Sequence, residues 1–288
     1  MKNMVDIRFE ICALIFRFVP GCGFNEVGTD YHREIDDTFA KFANHPTAVY
    51  ARSLGFGYDA VSKLAVHLER RDGRFHIIDD WQSLIDCGRW NRERIETFVK
   101  LLNDFAVDTN FEEFYNAHIP FYEAETEKFI AQDYNKLNFG WFKKYLDVSR
   151  MRCIFSPSLL GANYGAKVEG RYEYSIVPHN AQLVHEYCHS FANPIAEKWY
   201  KENSDFRKLC DDTAATNKIP WYQQPITFAY EYVTRAYNIL YDSQHGEKNF
   251  EMLFARERSC SGFEGFPFIE CVYDMVLEFE GIARDSSL

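Results

Sequence analysis

The chain has eight cysteines, at 12, 22, 87, 153, 188, 210, 260 and 271, and no CxxC pair among them. That removes the zinc-ribbon and thioredoxin-type motifs and leaves packed thiols in a reducing compartment as the expectation. No apolar run reaches the roughly 18 residues that a membrane-spanning helix needs, so no span is expected. Positive charge is short: Lys and Arg number 32 against 43 Asp and Glu, a net charge of −11. A nucleic-acid partner, which would need cationic excess, is therefore not expected. The sequence also lacks internal repeats, low-complexity tracts and a Pro/Gly/Ser-rich linker. It contains no GxSxG and no P-loop, and Gly55-Phe56-Gly57 lacks the third glycine of a dinucleotide fingerprint. The apolar stretch 11–19 is interrupted by Arg17 and follows Asp6, Arg8 and Glu10, which a signal peptide would not carry ahead of its apolar core. It reads as a buried first helix, and the chain as cytoplasmic, with secretion after removal of a signal segment as the alternative.

What is present is apolar material for a core, 47% of residues, with 26 Phe and 18 Tyr that point to ring-rich packing. Helical periodicity is expected near 5–18, 31–43, 57–70, 91–106, 110–133 and 138–147, with a short extended piece at 74–78. In the fourth of these, Ile95, Phe98, Val99, Leu102 and Phe105 form one stripe. The pattern changes near 149. A strand is expected at 152–155, and 162–168 and 171–177 read as a hairpin turned at Glu169-Gly170. A helix follows from about His179 to Ala192, ended or kinked by Pro194, and Lys218-Ile219-Pro220 marks a loop. Further helices fit near 195–212, 222–242, 247–257 and 267–282. The expected fold class is α+β, mainly α. Its helical N-terminal region spans 1–148 and its C-terminal region 149–288, across a soft boundary. Oligomeric state is not legible.

The segment Leu183-Val184-His185-Glu186-Tyr187-Cys188-His189 contains HExxH. On a helix, His185 and His189 share one face and can reach one metal ion. Glu186 lies about 100° round that helix, placed to take a proton from a water that the metal polarises. Composition alone, with 9 His in 288 residues, yields roughly 0.02 such matches, so chance is a poor explanation. Two imidazoles and a carboxylate suit one Zn2+ with a position left for water.

The third ligand must be a carboxylate. The extended motif HExxHxxGxxH would place glycine and histidine where this chain has Ala192 and Ile195. Glu197 would lie roughly 12 Å along a continued helix, out of reach of the metal. Glu202 stands in the solvated run Lys201-Glu202-Asn203. Glu231 is the better candidate, because a carboxylate amid Phe228-Ala229-Tyr230 and Tyr232-Val233 is costly to bury unpaired. Arg235, four residues on, offers the alternative reading of a simple helix ion pair.

HExxH with a glutamate ligand from a later helix resembles the gluzincin class of zinc metallopeptidases. More closely, His185-Glu186-Tyr187-Cys188-His189-Ser190-Phe191-Ala192-Asn193-Pro194 with Glu231-Tyr232-Val233-Thr234-Arg235-Ala236 resembles an uncharacterised bacterial family of zincin-like peptidases. Asn163-Tyr164-Gly165-Ala166 and Val5-Asp6-Ile7-Arg8-Phe9-Glu10 extend the resemblance over nearly the whole chain. It implies a zincin-like catalytic half with a small sheet, packed on the N-terminal half. It also implies His185, His189 and Glu231 as metal ligands and Glu186 as general base. The chain departs from thermolysin-like gluzincins in a longer interval between His189 and Glu231 and in ExxxR rather than ExxxD.

The expected function is therefore zinc-dependent hydrolysis of a peptide or protein substrate. A zinc-containing binding module without turnover and a metal-free helical interaction protein are the competing expectations. Oxyanion-stabilising candidates are Tyr164, His179, Tyr222, Tyr230 and Tyr232, and strand 162–168 or 171–177 is a candidate for pairing with extended substrate. Cys188 reads as a packed thiol, and His67, His76 and His118 as structural.

Overall fold

A computed structural model describes residues 4–24, 28–78, 81–85, 89–145, 152–161, 163–178, 182–217, 224–247, 249–260 and 263–283. The fold is α+β and mainly α, with small sheets of two, three and two strands among the described residues. The chain divides into two compact units, 1–183 and 184–288.

The first unit begins with α1 (Ile7–Arg17), α2 (Asp30–Phe39), α3 (Pro46–Leu54) and α4 (Tyr58–Val66). The hairpin β1 (Leu68–Arg71) and β2 (Arg74–Ile77) follows, then α5 (Trp81–Ile85), α6 (Arg92–Asp108), α7 (Phe111–Ala117), α8 (Ile119–Gln132) and α9 (Phe139–Phe142). A three-stranded sheet of β3 (Arg152–Pro157), β4 (Tyr164–Val168) and β5 (Arg171–Ile176) completes the unit. Its order is β3-β5-β4, parallel between β3 and β5 and antiparallel between β4 and β5. Both Glu169 (φ 47°) and Gly170 (φ 76°) are left-handed, the conformation that a two-residue hairpin turn requires. The core is ring-rich as expected: Phe16 packs 5.7 Å from Phe98, and Phe56 4.8 Å from Trp90, centroid to centroid.

Several boundaries differ from the sequence reading for local reasons. Helix α3 was not expected, although Pro46 opens it and Gly55 (φ 63°) closes it, a Pro-first, Gly-last arrangement. The expected helix 57–70 stops at Val66 because 68–71 pairs with 74–77 as a hairpin. The expected 110–133 divides at His118, just before Pro120. Strands β3–β5, grouped by sequence with the C-terminal region, belong to the first unit, so the compact boundary falls after 183 rather than near 148. Arg8 on α1 shows why: it donates to Glu173 Oε2 on β5 at 2.7 Å, to Asp6, and to the Leu68 carbonyl.

Glu10 on α1 is fully buried. Its Oε2 accepts from the Tyr31 hydroxyl at 2.8 Å and its Oε1 from the Leu159 N–H at 3.2 Å. Burial outweighs these bonds and pushes its carboxyl up to about 7 from an ordinary 4.5. The unfolded chain therefore releases this proton first as pH rises. The group's contribution to stability is full below about pH 4.5 and is lost by about pH 7, roughly 3 kcal/mol in all. Glu10→Gln, which keeps an acceptor and cannot ionise, should flatten the fall in melting temperature between pH 5 and 7.5. An unchanged pH profile would contradict this assignment.

The second unit consists of α10 (Leu183–Glu202, of which Leu183 falls at the boundary), α11 (Ser204–Thr216), α12 (Pro225–Gln244), α13 (Phe250–Arg258), a short pair β6 (Ser259–Cys260) and β7 (Phe263–Glu264), and α14 (Ile269–Glu280). Helix α10 continues through Pro194, against the expected stop. A proline here removes one backbone N–H bond but leaves a helix of 20 residues in place. Asn203 caps α11 by accepting from the N–H groups of Asp205 and Phe206 at 3.0 Å each. Helix α12 buries Phe228, Tyr232, Val233, Ala236, Tyr237, Ile239 and Leu240 and is buried on most sides. Among its polar residues are Glu231, Thr234 and Asn238, which belong to the site. The expected start of α10 near His179 and the loop 218–220 lie outside the described residues. No described helix is long and apolar enough to cross a membrane.

Candidate metal centre

Helices α10 and α12 supply the site. His185 and His189 stand one turn apart on α10, their rings 4.6 Å apart and nearly perpendicular (89°). Their Nε2 atoms are 3.1 Å apart. Glu231 on α12 places Oε2 3.5 Å from His185 Nε2 and Oε1 3.5 Å from His189 Nε2. One donor atom from each of the three lies within 4.8 Å of the others. His185, Glu186 and Glu231 are all buried. Of the carboxylates weighed from sequence, Glu231 is the one brought to the histidines. Glu197 instead accepts from the Tyr230 hydroxyl at 2.8 Å, and Glu202 is exposed.

The charges follow from this crowding. Burial pushes the His185 imidazole well below its usual range. Burial also disfavours the His189 cation, but its hydrogen bond to Glu231 and the attraction of Glu231 and Glu186 prevail and raise it to about 9. One hydrogen between the two Nε2 atoms, 3.1 Å apart, satisfies both. Burial opposes ionisation of Glu231 too, yet Arg235 and the two histidines hold its carboxyl well below the usual range. Glu186 has fewer compensating partners, and burial pushes it up to about 7. Burial likewise raises the Cys188 thiol well above its usual value, in keeping with a packed thiol.

The remaining ring nitrogens are also engaged. His189 Nδ1 lies 2.9 Å from Asn193 Oδ1 and 2.9 Å from Thr234 Oγ1. His185 Nδ1 lies 3.0 Å from the Asn238 side-chain amide nitrogen, while Asn238 Oδ1 is buried without a partner. Rotating that amide by half a turn sets Oδ1 against Nδ1, where it accepts from an Nδ1–H and leaves Nε2 as a lone-pair donor. That is the tautomer a metal on Nε2 requires. The donor set of two imidazole nitrogens and one carboxylate oxygen therefore fits a divalent cation, with both rings supported from behind.

Asn193, Thr234 and Asn238 were not singled out from sequence. Thr234 and Asn238 follow Glu231 at three and seven residues, on the same face of α12, and Asn193 follows His189 at four. That helical spacing was the available signal. Of the oxyanion candidates, Tyr230 is bonded to Glu197. Tyr232 is buried with its hydroxyl 2.9 Å from Thr213 Oγ1. Tyr164 lies on β4 of the first unit, and His179 and Tyr222 fall outside the described residues. His67 and His118 bond to backbone carbonyls of Lys63 and Phe114 within their own helical turns, and His76 lies on β2, in keeping with structural roles. Compared with protein-family models, curated proteins and solved structures, the chain finds no match.

Proposed function

We propose that the chain is a zinc-dependent peptidase whose metal is held by His185, His189 and Glu231 and whose general base is Glu186. The observation that carries this reading is the convergence of the three donor atoms within 4.8 Å in a buried HExxH site. Two imidazoles and one carboxylate are the donor set that favours zinc over the harder cations, which prefer oxygen alone. Bound there, zinc would supply a Lewis acid that polarises a peptide carbonyl and acidifies a water.

The chain's own groups do the rest. The His185 and His189 rings are oriented by Asn238, and by Asn193 and Thr234, with their Nε2 atoms turned toward Glu231. The Glu186 carboxylate takes the proton of the attacking water and delivers it to the leaving amine nitrogen. A carboxyl raised by burial to about 7 can both take and give a proton near neutral pH. Leu183, Tyr187, Cys188, Phe191 and Ala192 of the same helix are buried, and an apolar setting strengthens electrostatic interactions within the site.

The experiment is hydrolysis of a mixed peptide pool, followed by mass spectrometry, before and after removal of metal. Chelator-stripped protein should lose cleavage, and stoichiometric zinc should restore it. Cleavage that persists after complete metal removal would reject the metal mechanism. A zinc-loaded protein that cleaves no peptide would favour a binding module instead.

A further inference from the structure

We propose that Arg235 is a positioning residue that fixes the coordination mode of Glu231, and that Glu257 and Arg256 hold it in place; this rests on the metal reading above. Arg235 stands one turn after Glu231 on α12. Its Nε donates to Glu231 Oε2 at 3.1 Å, and its Nη2 lies 3.0 Å from the same oxygen. Two nitrogens thus converge on Oε2, whereas Oε1, 3.5 Å from His189 Nε2, carries neither of them. The clamp thereby makes Oε1 the less encumbered of the two ligand oxygens and holds the plane of the carboxylate.

The clamp is itself held from α13. Arg235 Nη1 donates to Glu257 Oε2 at 2.6 Å, and Glu257 Oε1 accepts from Arg256 Nε at 2.7 Å. Arg256 Nη1 in turn reaches back to Asp242 on α12 at 3.0 Å. The Arg235 guanidinium lies over the Phe266 ring, 4.4 Å from its centroid. Carboxylate and guanidinium alternate from Glu231 through Arg235, Glu257 and Arg256 to Asp242, so each charge is flanked by opposite ones. Glu231 and Glu257 are both buried, and each would be costly without its arginine. Simple neutralisation of Glu231 would need only one cation at any convenient angle. The structure instead builds a planar fork, loaded on both edges and stacked on a ring, which restrains rotation of the carboxylate as well as its charge.

The test compares wild type with Arg235→Lys and Glu257→Gln. Three quantities are read: zinc affinity by competition with a chromophoric chelator, the visible spectrum of cobalt(II)-loaded protein, and the melting temperature of metal-free protein. Lysine keeps the charge but offers one nitrogen and no fork. Arg235→Lys should bind zinc about ten- to a hundredfold more weakly and alter the intensity of the cobalt bands, as loss of an orienting partner does. Its metal-free melting temperature should stay within a few degrees of wild type. Glu257→Gln should weaken zinc in the same direction by a smaller factor. Wild-type affinity and cobalt spectrum in Arg235→Lys would show that charge alone suffices and overturn the proposal. If the lysine variant fails to fold, the same two readouts unchanged in Glu257→Gln overturn it. Wild type that takes up neither zinc nor cobalt would refute the metal site itself, a failure distinct from these.

Discussion

Glu186→Gln is expected to bind zinc as wild type does and to lose peptide hydrolysis by about 10²–10⁴-fold, the usual contribution of a general base. The argument is geometric first. Glu186 directly follows His185, so on α10 its side chain leaves the helix off the face that carries the two imidazoles. It is absent from the converging donor set, which is His185, His189 and Glu231 alone among the described residues. Glutamine preserves its volume and one acceptor oxygen but cannot take a proton. Because Glu186 is buried and its charged form is disfavoured there, a neutral amide should not lower the stability of the unit. Kinetics and metal analysis of one preparation check both halves. The loss should fall on kcat with little change in KM, since the amide still fills the space. A variant that cleaves at the wild-type rate would remove Glu186 from the chemistry.

Glu231→Ala should have the largest effect on the metal. Structural zinc in small sites is bound with about 10–16 kcal/mol in total, so one ligand accounts for about 3 kcal/mol, or roughly a hundredfold in affinity. The alanine variant also takes one carboxylate partner from the buried Arg235 beside two imidazoles, so its metal-free form should melt below wild type. Glu231→Gln separates the two effects, because its amide oxygen still accepts from Arg235 while the ligand charge is gone. Chelator competition on both variants should show weakened zinc in each. Retained wild-type affinity in both would leave Glu231 as a simple helix ion-pair partner of Arg235, the alternative that the sequence itself raised.

How much of this was legible in the sequence depends on range. His185, Glu186 and His189 announce themselves because their spacing is a property of one helix. Glu231 was legible by a cost argument, a carboxylate in an apolar helix, and its place beside Arg235 by the four-residue interval. Thr234, Asn238 and Asn193 lie at helical spacing from ligands and were missed only because polar residues on a buried helix have many structural explanations. Glu257 and Arg256 gave no signal. They reach the site through the packing of α13 against α12, which no local pattern encodes. The same distinction runs through the fold. The hairpin turn at Glu169-Gly170 and the stripe on α6 were readable locally. Assignment of β3–β5 to the first unit was not, because it depends on tertiary partners such as Arg8 and Glu173, far apart in sequence. Pro194 shows the opposite error, a strong local stop signal at a residue that the helix Leu183–Glu202 runs through.

The most direct test of the account is the zinc content of wild-type protein purified without chelator, measured by elemental analysis alongside its melting temperature with and without added metal. A three-ligand site of this kind predicts about one zinc per chain. It also predicts a melting temperature that falls when the metal is stripped and recovers when zinc returns, because a ligand bound only by the folded state stabilises it. Protein that carries no zinc, and whose melting temperature is unmoved by zinc or chelator, would contradict the account and leave His185, His189 and Glu231 as a buried ion-paired cluster.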